Sequence, residues 1–415
     1  MLFISRGHAQ DTPLNRLSEA EKAAGWVLLF DGIDWKSHFH PGPGGTPGSW
    51  IIEDQALASA PGSPFSDLLS NDSYADFELS MEWKLNAKGN SGIFIRVSGG
   101  NRQCSGEEYA ILDDANASDR NEMGHLPGET AMPIKRTGAN YDLHPTVQDG
   151  VIGQPYVELA KPFDQWNQGT IWANGNQIEH WLNGKEVNAY ELGSPDWLQR
   201  FKLSKYYGLC PNDRDTWGRH PAGSIGMQDH GDAMRVWFRD IKVRPFAAGA
   251  KLPAPLIAPA GGKFNSSTKV TLDAAVIGSA LRYTLDGSDP TPSSALYRDS
   301  LVLKSAATLK ARTYRNGFPS SDVATAVFST NSTGFRPADL PAEEPSWRQI
   351  GSWMRFTNPS DRSITAAFRN VEGKEMASFA IGPGVNDIEM SSLHGLCLMA
   401  LRRGNWMRMQ PVALP

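Results

Sequence analysis

The run GTIWANGNQIEHWLNGKEV, residues 169–187, restricts the fold more than any other stretch. It alternates apolar and polar side chains and carries Asn174-Gly175 and Asn183-Gly184. A period of two marks a strand with one buried face. Asn-Gly favours the tight hairpin turn, because both residues tolerate positive φ. Similar runs recur as FELSMEWKL (77–85), SGIFIRVSG (91–99), EEYAILDD (107–114) and MRVWFRDIKV (234–243). With 40 glycines and 28 prolines to punctuate them, the chain reads as all-β, its strands closing over a core as a β-sandwich or jelly roll. Only LSEAEKAA (17–24) reads as a helix.

A chain of 415 residues exceeds what one core serves, so two or three domains are expected. The first alternating pattern, residues 25–246, ends near Phe246. AAGAKLPAPLIAPAGG (247–262) then reads as a linker that few contacts should cross. A second unit covers 253–330. After a further linker (329–346), a third covers 346–415. Residues 1–24 read as the remnant of a leader followed by the short helix. A small-residue pattern marks cleavage near Ala9, which points to export: periplasmic, cell-surface or extracellular. The formal net charge of -5 leaves no electrostatic footprint for nucleic acid, and no apolar run is long enough to span a membrane. Cys104, Cys210 and Cys397 are too few for a disulfide framework and lack metal-ligand spacing. A Cys104–Cys210 bridge can be drawn, but the expectation is that it does not form.

The chemistry-bearing residues gather in a few runs. In SIGMQDHGDAMRVWFRDIKV (224–243), alternation gives Ile225, Met227 and Asp229 one face and Gly226, Gln228 and His230 the other. The first face suits a core and the second an open groove, with Gly231 and Asp232 as the turn. A hairpin end merely capped by polar side chains is the competing reading. In GEEYAILDD, Glu107 shares a face with Asp113, and Glu108 with Asp114. In GNSGIFIRV, Asn90 and Ser91 lie between glycines. Ile93 and Ile95 face the core, which turns Phe94 and Arg96 the other way. Tyr141 follows Lys135 and Arg136, which supply charge. The 13 tryptophans suit stacking on sugar rings, although most are expected in cores.

Residues 25–246 resemble the 3-keto-disaccharide hydrolase domain family along nearly their whole length. The strings GWVLLFDGIDWKSH, YADFELSMEWKL, GNSGIFIR, EEYAILDD, RTGANYDL, FDQWNQGTIWANGNQIEHWLNG and SIGMQDHGDAMRVWFRDIKV follow the family's order. Ala110 departs from the family's usual Gln, and Asp240 from its usual Asn. The resemblance implies a concanavalin-like jelly roll acting on glycosides whose sugar carries a 3-ketone. It implies a catalytic set of His230, Glu108 and Asp113. Beside them, Gln228, Tyr141, Asn90 and Lys135 are candidate substrate contacts, and Arg96 either binds a keto or hydroxyl oxygen or pairs with Glu108, a purely structural pairing being the commoner role of an arginine. A divalent cation such as calcium on Glu108, Asp113 and His230 is conceivable. YTLDGSDPT (283–291) resembles the chitobiase/β-hexosaminidase C-terminal module, a small immunoglobulin-like sandwich. In the third unit, Asn358-Pro359, Gly373-Lys374 and Leu393-x-Gly395 are similar to markers of type IX secretion sorting domains. An unrelated β-sandwich accessory domain fits them equally.

The expectation for function is a glycoside-cleaving enzyme that takes an oligosaccharide or glycoside substrate. A lectin-like binder on the same fold and a cell-surface adhesin are the alternatives. A 3-ketone acidifies the proton on carbon 2, so cleavage by elimination needs a base there, an acid at the leaving oxygen and positive charge at the keto oxygen. Direct hydrolysis needs two carboxylates flanking carbon 1.

Overall fold

The structure is a computed structural model. It describes residues 13–62, 65–118, 122–124, 126–127, 132–146, 159–231, 233–330, 345–350, 352–359, 361–370, 372–393, 395–403 and 406–414. The leader, the cleavage site near Ala9, Asp232 of the expected turn and most of the second linker lie outside them. The regular structure of the described chain is almost entirely strand, as the alternation requires. The LSEAEKAA helix is present as Glu19–Ala23. Ser18 and Glu21 close its N-terminus reciprocally, the capping box that an S-x-x-E spacing encodes.

Residues 27–246 form two antiparallel sheets packed face to face. One runs in the order Lys185–Glu191, Gln177–Leu182, Asn167–Asn174, Asp76–Leu85, Val236–Phe246, Ala56–Ser59, Trp50–Glu53. The other, which carries the functional residues, runs Phe39–Pro41, Leu68–Ser70, Ser224–Met227, Asn90–Val97, Glu107–Leu112. This is the jelly roll the pattern predicts. Asn183 and Gly184 take φ of 49° and 78°, the pair of positive values that a two-residue hairpin turn demands. Phe77, Trp83, Tyr109, Ile171 and Phe238 are almost completely buried between the sheets. Each contributes on the order of 1.5–3 kcal/mol.

The module after Phe246 is itself a β-sandwich. One sheet is built on Leu256–Ala258, Thr268–Asp273 and Leu301–Leu303. The other contains Ala280–Thr284, Ala295–Leu296, Ala307–Tyr314 and Ala324–Thr330. The expectation of few crossing contacts is corrected here, because residues up to Gly262 and from Thr268 to Phe328 form one compact unit. Trp172 and Trp181, on the outer face of the larger jelly-roll sheet, pack against Leu252, Val276 and Ile277. The Trp26 indole N–H donates to the Ala275 carbonyl at 2.9 Å, and the fully buried Glu78 accepts from the Ile277 amide at 2.9 Å while pairing with Arg244. The reason is physical: that sheet face is aromatic and would otherwise stand in water.

The C-terminal unit is a third sandwich. Ser346–Ile350, Trp353–Asn358 and Gly384–Glu389 form one sheet, and Glu375–Ile381, Ile364–Arg369, Gly395–Arg403 and Trp406–Leu414 the other. Its core is built on Met354, Phe356, Phe368 and Met399.

Candidate active site

Glu108 owes its position to alternation. Tyr109 and Ile111 turn into the core, so Glu108 faces outward from the Glu107–Leu112 strand. It lies opposite Phe94 in the ladder, and Ala110 lies opposite Gly92. The Glu108 side chain folds over Gly92, where a Cβ would collide with Oε1. Any residue larger than glycine at 92 would displace the carboxylate, which gives a reason for the GNSG run. On the Ser224–Met227 strand, which pairs with Asn90–Val97, Ile225 and Met227 are buried in the core, and just beyond it Gln228 and His230 emerge on Glu108's side. The amide of Gln228 donates to the Gly92 carbonyl at 3.0 Å, and the Ser91 hydroxyl donates to the Gln228 carbonyl at 2.8 Å. These bonds fix the end of that strand against its neighbour.

Asn90, Glu108, Tyr141, Gln228 and His230 thus line one pocket of about 110 Å³. Its remaining wall comes from segments that sequence reasoning missed: Phe65, Arg102 and Gln103, and Lys205 and Tyr206. The Tyr206 hydroxyl donates to Glu108 Oε2 at 2.8 Å. The Lys205 ammonium lies 4.4 Å from the ring centre of Tyr141. The Arg102 guanidinium pairs with Asp67 and lies 4.6 Å from the ring centre of Phe94. Burial pushes the Glu108 carboxyl up to about 7, against the opposing pull of Arg102 and Lys205 and the hydrogen bond from Tyr206. Burial likewise holds the Tyr206 phenol far above its ordinary range, so it stays a donor. Gln228 Oε1 and His230 Nδ1 are buried and meet no hydrogen-bond partner. Buried polar atoms are rarely left unpaired, so two of them in one pocket mark a place built to receive a polar ligand.

Cys104 and Cys210 form a disulfide, contrary to the expectation from cysteine count. The bridge joins the short helix Arg102–Cys104 to the residue that ends the Lys205–Leu209 helix. It therefore ties together the two segments that bring Arg102 and Lys205 to Glu108. Trp217 reinforces the junction, stacking on Phe201 and Tyr206 and donating to the Gln103 carbonyl at 2.8 Å. The cysteine pair was the one signal in the sequence that could have found this wall.

Three expected site residues lie elsewhere. Arg96 sits in a bulge: Ser224 pairs with Val97 and Gly226 with Phe94, so the Asn90–Val97 strand carries one extra residue there. Its φ of 52° turns the side chain aside, to donate to the carbonyls of Ala75 and Gly175 and pair with Asp76. Asp113 lies past the strand end, where its carboxylate accepts from the Lys88 and Ala115 amides and the Asn116 side chain. Lys135 pairs with Glu122 and lies 3.7 Å from Asp142, outside the pocket lining. With Asp113 bound to its own turn, the set Glu108, Asp113 and His230 does not come together as a metal site. Among the described residues, no group of three or more His, Cys, Asp or Glu could hold an ion.

Glu107, on the opposite face of the same strand, accepts from the Trp197 indole at 3.0 Å, and burial pushes its carboxyl up to about 8. His180 is a buried partner of the Gly138 carbonyl, and burial lowers it to about 4. Ala110 is fully buried and does not line the pocket. Asp240 occupies a second bulge at φ 53°, where it accepts from the Asn15 amide at 3.0 Å.

Residues 25–244 match the family described as the 3-keto-alpha-glucoside-1,2-lyase-like domain, and residues 259–325 match the chitobiase/beta-hexosaminidase C-terminal domain. A 3-keto-disaccharide hydrolase of Bacteroides thetaiotaomicron is 30% identical over 253 residues, which cover 54% of this chain and 79% of that protein. Two solved structures from Parabacteroides distasonis, both described provisionally as glycosyl hydrolases, are also similar. One is 26% identical with a TM-score of 0.45, covering 57% of this chain and 100% of the other. The second is 22% identical with a TM-score of 0.40, covering 53% and 99%.

Proposed function

The chain belongs to the 3-keto-alpha-glucoside-1,2-lyase-like family, and from that premise we propose that it cleaves 3-keto-glycosides by elimination followed by hydration. At the coarser level it is a glycoside-acting, carbohydrate-active enzyme. One observation carries the finer reading. Among the described residues lining the pocket, Glu108 is the single carboxylate, and cationic and phenolic groups surround it. Direct hydrolysis would call for a second carboxylate across carbon 1. Proton abstraction from carbon 2 calls for one base of raised pKa, and Glu108 fits that description.

In this reading the Glu108 carboxylate takes the carbon 2 proton. The electrons of that C–H bond pass to the keto oxygen as an enolate, which the Lys205 ammonium faces. The enolate then collapses: carbon 1 becomes doubly bonded to carbon 2, the bond from carbon 1 to the glycosidic oxygen breaks, and that oxygen takes a proton from His230. Water next adds across the conjugated double bond, its oxygen to carbon 1 and a proton to carbon 2, giving the free 3-keto sugar. Gln228 and Asn90 hold sugar hydroxyls, and Tyr206 keeps the Glu108 carboxylate oriented. No step passes through a metal ion. A lectin-like role is less favoured, because the described lining holds acid–base groups and no tryptophan. The same reading takes the protein out of the cytoplasm. In support stands the Cys104–Cys210 bridge, of a kind that persists in oxidising compartments.

The test is to offer the enzyme a 3-keto-disaccharide and its unoxidised parent side by side. Cleavage of the keto sugar alone is expected. Cleavage of the parent at an equal or greater rate would refute the reading.

A further inference from the structure

The compact unit that contains the jelly roll and the module after it holds a larger cavity, of about 550 Å³ against about 110 Å³ for the candidate active site. One wall is the strand pair Gln177–Leu182 and Lys185–Glu191, which contributes Glu179, Trp181 and Glu186. The other is the outward face of the module's Ala280–Thr284 and Ala307–Tyr314 strands. Leu281, Leu309 and Ala311 point into the module's own core, so alternation turns Arg282 and Tyr314 to the cavity.

The charge on that wall is balanced only in part, with Arg312 attracted to Asp289 and Asp322. Arg282 lies directly opposite Arg312 in the ladder, a like-charge pairing that destabilises a sheet. Neighbouring cations have acidic partners: Arg315 pairs with Glu179 and Lys310 with Asp289. Arg282 instead donates to one backbone carbonyl, that of Ser294 at 3.0 Å. Arg298 is exposed on the same wall, and among the described residues no carboxylate pairs with either. The Nε of Arg312 is buried with no acceptor.

We infer that this cavity is a second glycan site, separate from the candidate active site, which binds short oligosaccharides bearing a carboxylate. Two guanidinium groups in a concave site suit bidentate capture of a carboxylate. Tyr314 offers a half-buried ring for the sugar's C–H face, and Ser279 and Asn316 offer partners for its hydroxyls. The volume is that of a small-ligand site, and the junction of two modules is a usual place for one. The inference does not depend on the 3-keto reading.

Isothermal titration of the full chain with trigalacturonate, and separately with maltotriose, tests it. Binding of the acidic trisaccharide alone is expected. The double variant Arg282→Ala, Arg298→Ala should weaken it by about tenfold or more, the affinity equivalent of one charge-assisted hydrogen bond. Arg298→Ala by itself, at an exposed position outside the ladder, should weaken it in a chain whose fold is not in question. Glu108→Gln should bind as the wild type does, and the double variant should keep its turnover. The proposal is overturned if the wild type fails to bind trigalacturonate, if maltotriose binds equally, or if neither arginine variant weakens binding. Loss of binding in Glu108→Gln would overturn it too, by assigning the ligand to the other pocket.

Discussion

Glu108 is buried yet flanked by cations, and the balance sets its use. Burial raises its carboxyl to about 7, and the base is the ionised form. The sign follows: the fraction able to accept the carbon 2 proton grows with pH, so kcat/KM should climb through a midpoint near pH 7. A general acid at this position would give the opposite limb. A pH–rate profile on a 3-keto-disaccharide distinguishes the two. Glu108→Gln should lose about 10²–10⁴-fold in rate, the usual worth of a positioned base, with its thermal transition retained. Near-wild-type activity in that variant would remove Glu108 from the role. Alternation assigned Glu108, Gln228 and His230 their faces, because a period of two does so without any tertiary knowledge, and the family resemblance was needed to single them out as a site. It failed at Arg96, where one extra residue in the strand reverses the face, and no local pattern announced that bulge. At Asp113 alternation already gave a face away from Glu108; the resemblance drew it into the site, whereas the structure uses it to cap the turn past the strand end.

Among the elements, the decisive pair is the Arg102–Cys104 turn and the Lys205–Leu209 helix. They are far apart in sequence and are held together by Cys104–Cys210 and the Trp217 stack. Lys205 and Tyr206 were illegible in the sequence for that reason: a short helix carries no periodic signal, and its partner lies 106 residues away. A small displacement of charged groups around a reacting centre costs about 10²-fold in rate. Reducing the bridge, or making Cys104→Ser with Cys210→Ser, should therefore lower turnover by about that factor while circular dichroism still reports a folded sandwich. Turnover unchanged by reduction would show that the aromatic stack alone holds the two segments. The hairpins, by contrast, were readable from a few residues, since Asn183-Gly184 meets the turn's demand for positive φ with no help from elsewhere.

Across the molecule, the module after Phe246 acts as part of the enzyme's own structure. Its loop at Ala275–Ile277 satisfies Trp26 and Glu78 and covers Trp172 and Trp181. A chain ended after Ala250 should therefore unfold at a temperature lower by at least about 3 °C, since loss of a hydrogen bond to a buried charged group alone costs about 1.5–3 kcal/mol and each kcal/mol is worth about 2–4 °C at this size. An unchanged midpoint by scanning calorimetry would mean that these contacts contribute nothing to the jelly roll. The linker composition hid this, because an Ala- and Pro-rich stretch reads as a spacer whether or not the modules beside it pack together. Removal of the carbon 2 proton remains the step on which the functional account rests, and turnover of a 3-keto-disaccharide in heavy water measures it directly. The account predicts that the released 3-keto sugar carries deuterium at carbon 2, delivered from solvent when water adds to the double bond. A product that keeps its original hydrogen there, formed at the full rate of cleavage, would contradict it.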